Sequence, residues 1–306
     1  MENKICQHEK YEILSAMPKI KIVQCQQCQL VLALKENSAA PDKIYQNFYA
    51  QETAGRFNFW MEFIVKSFRF WRAAKIFFLK PKARSILDVG SGRGWMLYFL
   101  KKYFKYETTA GTQISLPAYE FSKDKLKLEI YNQDVMGIDW GKKFDIITLW
   151  HMLEHIKSPE SYLQKIHELL EKDGLLVVEV PNFNSWTSVL TKNYWLALDL
   201  EHHQTFFTPA TLSNLLKKYN FKIKNIGTFS LEYSAFTSAQ SWLNFLTRTD
   251  NYFFNWLQTG GFNLKIMVHL GLFIILFPIC LAINLVLYFS HRGEVVNIVA
   301  QKNNEQ

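Results

Sequence analysis

The segment that most constrains the fold is ILDVGSGRGW, residues 86–95. An apolar run interrupted only by Asp88 precedes glycines at positions 90, 92 and 94, and an apolar-periodic stretch begins at Trp95. This pattern predicts a buried strand, a tight turn and the start of a helix. Glycine permits a turn with φ > 0 and the close approach of a ligand to the main chain, and a helix N-terminus offers free N–H groups. An ordinary strand-to-helix turn is the alternative interpretation.

Strands and helices alternate beyond this segment. The pattern predicts further strands over residues 106–115, 126–135, 144–150 and 175–181, with helices that begin near Pro117 and Pro159. FDIITLW is almost wholly apolar, as a central parallel strand should be. Five strands that alternate with helices predict an α/β fold with a doubly wound parallel sheet. Ligands of such sheets bind at the carboxyl ends of the strands, near the point where the strand order reverses.

Five motifs in this order resemble those of the class I S-adenosylmethionine-dependent methyltransferases: LDVGSGRG, GTQIS, the pair Gln133-Asp134, FDIITLWHMLEHI and DGLLVVEVPN. The similarity is strongest for the ubiquinone-biosynthesis-like and sugar O-methyltransferase branch, and it covers residues 84–230 plus the last strand. It implies a Rossmann-like, seven-stranded sheet with an antiparallel last strand, and S-adenosyl-L-methionine as the cofactor. A dinucleotide oxidoreductase is disfavoured, because GSGRG lacks the third glycine of G-x-G-x-x-G and no acid ends the second strand.

The resemblance also assigns cofactor-binding roles residue by residue. Asp88 would anchor the glycine loop and reach the methionine amino group, and Asp134 would meet the adenine. Gln113 stands where the ribose-binding acid usually lies, and its amide can still hydrogen-bond a diol. The full implied set is Asp88, Gly90, Ser91, Gly92, Gly94, Gln113, Asp134 and Val135.

Methyl transfer to an oxygen needs an acceptor held in line with the sulfonium and a group that removes its proton. In relatives, a segment similar to EHHQTFFTP borders the acceptor pocket, and His203 matches its histidine. Histidine titrates near neutrality, so we expect His203 to be the general base. We expect His151 or Glu154 to orient the acceptor, with His151 and His155 on one helical face. The alternatives are histidines bonded to loop backbone, or an H-x-x-x-H metal pair.

The N-terminal residues 1–36 carry Cys6, His8, Cys25 and Cys28, with a predicted hairpin between the two pairs. Two ligand pairs on separate turns can converge on one tetrahedral, structural Zn²⁺, so we expect a zinc-ribbon-like knuckle. A metal-free knuckle and a redox pair are the alternatives. The start MENKICQHEK contains no apolar run. We therefore expect no secretory signal and reduced thiols in the cytoplasm.

Residues 41–80 are rich in aromatic side chains and are interleaved with lysine and arginine. The periodicity predicts two helices divided near Gly55. Because the aromatic residues cover too much of the helix to be buried on one side, we expect the second helix to cover the cofactor site or to lie against a membrane surface.

Residues 231–292 form a predicted hydrophobic insertion before the closing strand at 293–302. From Ile266 to Phe289 no side chain carries a formal charge, and the run is long enough to span a bilayer. A single crossing would separate the closing strand from its sheet, and Pro278 divides the run. Basic residues flank both ends, which favours the cytoplasmic side. We therefore expect a monotopic helical hairpin or interfacial anchor at the inner face of the cytoplasmic membrane. A helix pair in a homodimer interface and a true span are the alternatives.

Composition supports an anionic or amphiphilic partner. The formal net charge is +8, and aromatic residues make up 16% of the chain. No block of like charges is present, so nucleic acid is not expected as a partner. We therefore expect a membrane-associated methyltransferase that acts on a hydroxyl of a lipid-linked saccharide, a glycan precursor or a quinone-like lipid. The alternatives are an RNA methyltransferase with a zinc ribbon and a catalytically silent binding module.

Overall fold

The computed structural model describes residues 6, 8–17, 20–35, 59–261 and 263–303. Its strands are β1 (Tyr11–Met17), β2 (Ile20–Cys25), β3 (Val31–Lys35), β4 (Ser85–Val89), β5 (Thr108–Thr112), β6 (Glu129–Tyr131), β7 (Phe144–Trp150), β8 (Leu170–Pro181), β9 (Thr205–Phe206), β10 (Phe221–Gly227) and β11 (Val295–Lys302). Its α-helices are α1 (Phe59–Leu79), α2 (Trp95–Tyr103), α3 (Leu116–Glu120), α4 (Pro159–Leu169), α5 (Trp186–Thr191), α6 (Pro209–Lys218), α7 (Ser234–Thr247), α8 (Tyr252–Thr259) and α9 (Leu264–Leu287).

Seven strands form the main sheet in the order β10-β11-β8-β7-β4-β5-β6. Strands β8, β7, β4, β5 and β6 are parallel, whereas β11 runs antiparallel to both of its neighbours. The predicted α/β sheet with an antiparallel last strand is therefore confirmed. The strand order reverses at β4, so the glycine turn that follows β4 lies at the predicted ligand-binding edge.

Some predicted boundaries were wrong for local reasons. Strand β6 is only Glu129–Tyr131, because Lys127 before it has a φ of 52° and Asn132 after it bonds the carbonyl oxygens of Gln113 and Ile114. Strand β8 begins at Leu170, before the predicted start at residue 175. The backbone of Asp173 turns within the strand, with a φ of 61°.

Helices cover both faces of the main sheet. Helix α1 packs on one face through Ala73 and Ile76, which are fully buried with Ile86 of β4. Helices α4 and α6 cover the other face through residues such as Leu163 and Leu212. Each fully buried aliphatic side chain contributes about 2 kcal/mol by leaving water. Helix α1 is thus a core helix and not only a cover, although its outer aromatic side chains remain exposed: Phe63, Phe70, Trp71 and Phe78. Residues 41–58, the rest of the predicted aromatic segment, lie outside the described residues.

The N-terminal hairpin, within the predicted knuckle of residues 1–36, pairs with a strand of the core segment. Strands β1, β2 and β3 form a second antiparallel sheet that is completed by β9, which belongs to the core segment. Val31 pairs with Phe206 and Leu32 pairs with Thr205. The hairpin is therefore attached to the rest of the molecule through β9.

The apolar run folds as one helix, and the prediction that Pro278 divides it was wrong. Helix α9 continues through Pro278 from Leu264 to Leu287. The chain instead reverses between α7 and α9, which contact each other along their lengths. Asn284 near the end of α9 bonds Ser238 near the start of α7 at 2.7 Å, and His269 near the start of α9 lies 3.3 Å from Thr249, just after α7. The two helices are therefore antiparallel, and α9 returns the chain to β11.

Helix α9 is poorly covered by the rest of the chain. Among the described residues, one helix is long and apolar enough to cross a membrane by length and composition. This helix is α9 together with the 3₁₀ turn that extends it to Ser290. Only 11% of its most apolar stretch is buried. The buried stripe against α7 contains Ile266, His269, Cys280 and Asn284. Large apolar side chains are exposed on the remaining surface: Leu264, Met267, Val268, Ile274, Ile275, Ile279, Leu285 and Val286.

Gly293 is required where the chain enters β11. A Cβ atom there would lie 2.0 Å from the carbonyl oxygen of Thr228. We expect Gly293→Ala to lower the free energy of unfolding by about 3 kcal/mol or more, since the clash is with backbone that must shift. Denaturant unfolding measures this change. Gly137→Ala is the matched control, because a Cβ at Gly137 meets no atom within 4 Å. An equal effect of the two substitutions would contradict the prediction.

Candidate active site

The glycine turn forms a tight cradle between β4 and α2. Gly90, Gly92 and Gly94 have φ values of 77°, 55° and 71°, in the left-handed region that favours glycine. The N–H groups of Gly90 and Ser91 donate to the carbonyl oxygen of Thr112 at 3.1 and 2.9 Å. These bonds hold the turn against the end of β5. A Cβ atom at Gly94 would also lie 2.7 Å from Leu128, so at this position space as well as backbone conformation favours glycine.

Asp88 is buried just before this cradle. Its Oδ1 accepts a hydrogen bond of 2.6 Å from Thr148 of β7. Burial raises the pKa of Asp88 to about 6, against the lowering effect of Thr148 and of the guanidinium groups of Arg72 and Arg69. A bound ammonium group would stabilise the ionised form of this buried carboxyl and so lower its pKa.

Two of the expected cofactor residues already make bonds within the chain. Gln113 is buried, and its Oε1 accepts a bond of 3.0 Å from the N–H of Ser115, at the start of α3. Asp134 accepts bonds from the N–H of Met136 and from the hydroxyl of Tyr162. Val135 is buried in the core, and its carbonyl oxygen accepts a bond of 3.4 Å from Trp140 Nε1. These bonds fix the positions of the two polar side chains beside the predicted ribose and adenine sites.

A row of charged groups that we did not predict lies beside Asp88, on the face of the sheet that α1 covers. Arg69 and Arg72 of α1 both pair with Glu232, at 2.8 and 2.7 Å. Arg72 also lies 4.0 Å from Glu179 of β8 and 4.2 Å from the centre of the Trp150 ring. One signal was available in the sequence, since Glu179 is a charged residue within the apolar run LLVVEVP.

His151 lies between two carboxylates, and the predicted helical face that it would share with His155 was wrong. A φ of 50° ends β7 at His151, and only Leu153–His155 form a helical turn. Its Nδ1 lies 3.4 Å from Glu154 Oε1, and its Nε2 lies 3.3 Å from Glu179 Oε1. Although burial lowers it, the two carboxylates raise the pKa of His151 to about 10. His151 is therefore an imidazolium at neutral pH and cannot act as a base there.

His203 has the opposite protonation state. Its Nδ1 lies 3.1 Å from the carbonyl oxygen of Ala197, and because a carbonyl only accepts, Nδ1 carries the proton and Nε2 keeps its lone pair. Burial and repulsion from His155 lower the pKa of His203 to about 4. Glu154, His155 and His203 each place one ligand atom within 4.8 Å of the others. The structure thus brings Glu154 into contact range of both His151 and His203.

The four N-terminal ligands converge as the spacing predicted. One ligand atom from each of Cys6, His8, Cys25 and Cys28 lies within 4.8 Å of the other three. His8 has a φ of 55°, and this reversal lets two ligands separated by one residue face the same centre. Its Nδ1 lies 3.3 Å from Cys28 Sγ, and its Nε2 lies 3.5 Å from a carboxylate oxygen of Glu160.

Comparisons with known proteins agree with this geometry. The methyltransferase-domain family matches residues 63–225, which is more than half of the chain. The ubiquinone biosynthesis O-methyltransferase of Histophilus somni (strain 2336) is 27% identical over 179 residues, which cover 53% of this chain and 73% of that enzyme. The (S)-coclaurine N-methyltransferase of Thalictrum flavum subsp. glaucum is 34% identical over 102 residues, 31% of this chain and 28% of that enzyme. The match thus spans less than a third of the plant enzyme.

Solved structures include distant neighbours. Coclaurine N-methyltransferase bound to N-methylheliamine and SAH shares 18% identity, with a TM-score of 0.47, over 76% of this chain and 72% of that one. The plantazolicin methyltransferase BpumL shares 17% identity, with a TM-score of 0.48, over 86% and 90%. The family match, the seven-stranded sheet and the glycine cradle after β4 together identify the chain as a member of the class I S-adenosylmethionine-dependent methyltransferases.

Proposed function

We propose that this enzyme methylates a hydroxyl group of a lipid-linked saccharide, a glycan precursor or a quinone-like lipid at a membrane surface. The observation that carries the proposal is helix α9, whose apolar outer surface is left uncovered beside a methyltransferase core. The name of the Histophilus somni relative, a ubiquinone biosynthesis O-methyltransferase, is consistent with an oxygen acceptor.

The glycine cradle and Asp88 hold the donor in this proposal. S-adenosylmethionine supplies an electrophilic methyl group when it is bound. The left-handed turn at Gly90, Gly92 and Gly94 leaves room beside the backbone for the methionine part, and the Asp88 carboxylate pairs with its amino group. Gln113 would bond the ribose hydroxyls through its amide nitrogen, since its oxygen accepts from Ser115, and Asp134 and Val135 would hold the adenine.

His203 acts as the general base on the acceptor. Its Nε2 would take the hydroxyl proton, which leaves the acceptor oxygen able to accept the methyl group that the bound cofactor would supply. The Glu154 carboxylate stabilises the imidazolium that results, since the two groups are close and both are buried. His151, already charged, orients Glu154 and adds positive charge beside the acceptor oxygen.

Large apolar side chains of α9 such as Ile274, Ile275 and Val286 are more than half exposed, and monomeric soluble proteins rarely expose large contiguous apolar patches. The helix is as long as the hydrocarbon core of a bilayer is thick, and Lys265 and Arg292 flank its uncharged stretch. Because α7 and α9 form an antiparallel pair, the chain leaves and re-enters the core on the same side. We therefore propose a monotopic attachment at the inner face of the cytoplasmic membrane.

Flotation with vesicles of phosphatidylcholine and phosphatidylglycerol tests this attachment. We expect the wild-type chain to float, and Ile274→Asp with Ile275→Asp to reduce vesicle binding by at least about 100-fold, since even one charge in an apolar bilayer region costs about 3 kcal/mol. Ile13→Asp with Leu14→Asp on β1 is the matched control, because these side chains are also exposed. A wild-type chain that stays at the bottom as a soluble dimer would contradict membrane attachment.

The N-terminal cluster fits a structural Zn²⁺ held by Cys6, His8, Cys25 and Cys28. Three thiolates and one imidazole are a known tetrahedral donor set that leaves no open position. Glu160 beside the second ring nitrogen of His8 matches the carboxylate that often orients a metal-bound histidine. Metal analysis of the purified chain tests this assignment.

A further inference from the structure

The segment that carries His203 has little structure of its own. Residues 195–207, here named the acceptor loop, contain one short helical turn, Leu196–Leu198, and the two-residue strand β9. Its internal backbone bonds lie in two turns, at residues 195–198 and 199–203, and the N–H of Leu196 donates to Ser241 of α7 at 2.9 Å. Ordering of the remaining residues must be offset by bonds to other segments.

One side of the acceptor loop is held by the N-terminal hairpin. The N–H of Ala33 donates to the carbonyl oxygen of Gln204 at 3.0 Å, and Lys35 Nζ donates to that of Glu201 at 2.8 Å. A small core forms across this interface, in which hairpin residues meet three residues of the loop. Its buried members are Ile22, Val31, Ala33, Trp195, Leu198 and Phe206.

The other side of the loop forms the wall of the candidate acceptor site. The N–H of Gln204 donates to the carbonyl oxygen of Glu154 at 2.8 Å, and Thr205 Oγ1 donates to that of Ile156 at 3.0 Å. The rings of His155 and His203 are 4.8 Å apart, edge to face. Gln204 thus links the hairpin directly to the segment that carries Glu154.

Strand β1 is the edge of the hairpin sheet, and its side chains Tyr11, Ile13 and Leu14 are exposed. Leu30, beside the metal-ligand cluster, is by contrast fully buried in the main core. Metal binding at such sites supplies folding free energy. The cysteine and histidine ligands lie before β1 and at the turn between β2 and β3, so an ion there would fix β3 against the loop.

We propose that the metal-loaded hairpin is the positioning element of the acceptor loop, so that loss of the ion disorders the loop and His203 while cofactor binding is retained. The inference rests on the proposed Zn²⁺ site and on the proposed role of His203. The glycine cradle is held separately, through Thr112 of β5, and for this reason the donor site is expected to be independent of the hairpin.

Hydrogen–deuterium exchange on the full chain tests the inference, with S-adenosylmethionine titration and zinc content measured in parallel. In Cys28→Ser we expect zinc to be lost and exchange in residues 196–206 to rise about tenfold or more, as local opening becomes easier. Exchange in residues 86–95 and the Kd for S-adenosylmethionine should change by less than about twofold, as for uncoupled sites. Cys280→Ser, at a buried cysteine of α9, is the control and should match the wild type.

A second variant separates positioning from metal binding. Ala33→Pro removes the N–H that bonds Gln204, and we expect it to retain zinc while loop exchange rises. Loss of zinc in Cys28→Ser without faster loop exchange would overturn the inference, as would unchanged exchange in Ala33→Pro. A wild-type chain that holds no zinc would overturn it as well. Failure of the wild-type chain to bind S-adenosylmethionine would instead contradict the proposed function.

Discussion

Asp88→Asn is expected to weaken S-adenosylmethionine binding by about 100-fold. Asparagine keeps the size of the side chain and a bond to Thr148, but it removes the buried negative charge. Truncating one partner of a buried charge pair typically costs about 2–5 kcal/mol, and 100-fold corresponds to about 2.7 kcal/mol. Isothermal titration calorimetry measures the change directly, and Asp139→Asn, an exposed aspartate, serves as the control.

The pH dependence of binding tests the same residue. The pKa of Asp88 in the free protein is about 6, so the carboxyl is protonated below that pH and must lose its proton to pair with the cofactor's amino group. Affinity should therefore fall about tenfold per pH unit below 6 and stay level above it. Asp88→Asn should not show this dependence. Equal affinities of the variant and the wild type at pH 8 would contradict the assignment.

His203→Ala is expected to lower turnover by about 100-fold or more, the usual contribution of a positioned base, with the Kd for S-adenosylmethionine unchanged. Transfer of a labelled methyl group into a membrane extract measures turnover before the acceptor is identified. His202→Ala is a matched control, because the neighbouring ring pairs with Asp199 at 2.8 Å. Normal turnover of His203→Ala would remove His203 from the mechanism.

The low pKa of His203 predicts an unusual pH profile. A base with a pKa of about 4 is already deprotonated throughout the physiological range. Turnover at saturating cofactor should therefore not rise between about pH 6 and 8, whereas an ordinary histidine base would give an increase through its pKa of about 6.5. A clear rise centred near pH 6.5 would contradict the protonation state derived from the Ala197 contact.

Much of the fold could be predicted from local pattern. The apolar run of β7 and the glycines after β4 specify a buried strand and a tight turn through properties of adjacent residues. The order of such segments then restricts the topology to very few choices. The convergence of the cysteine and histidine pairs could also be predicted from their local spacing. The left-handed backbone at His8 that lets Cys6 and His8 face one centre could not be predicted from the sequence.

The acceptor side could not be predicted because its determinants are distant in the chain. His151 is charged since β7 and β8 place Glu179 beside it, and its φ of 50° turns it away from the expected helical face. Arg72 reaches Glu179 only because α1 packs across the sheet. The pairing of α9 with α7 could not be predicted either, because α7 contains no long apolar run. The reversal of the chain was therefore assigned to Pro278 instead.

The most direct test of the central claim is the fate of the methyl group. Purified enzyme would be incubated with methyl-labelled S-adenosylmethionine and a membrane extract, followed by partition into organic solvent and by RNA extraction. We expect label in the lipid fraction, released by treatments that cleave methyl ethers, and about 100-fold slower labelling with His203→Ala, or with Asp88→Asn at a cofactor concentration below its Kd. Label confined to RNA, or no transfer by the wild-type enzyme, would contradict the account.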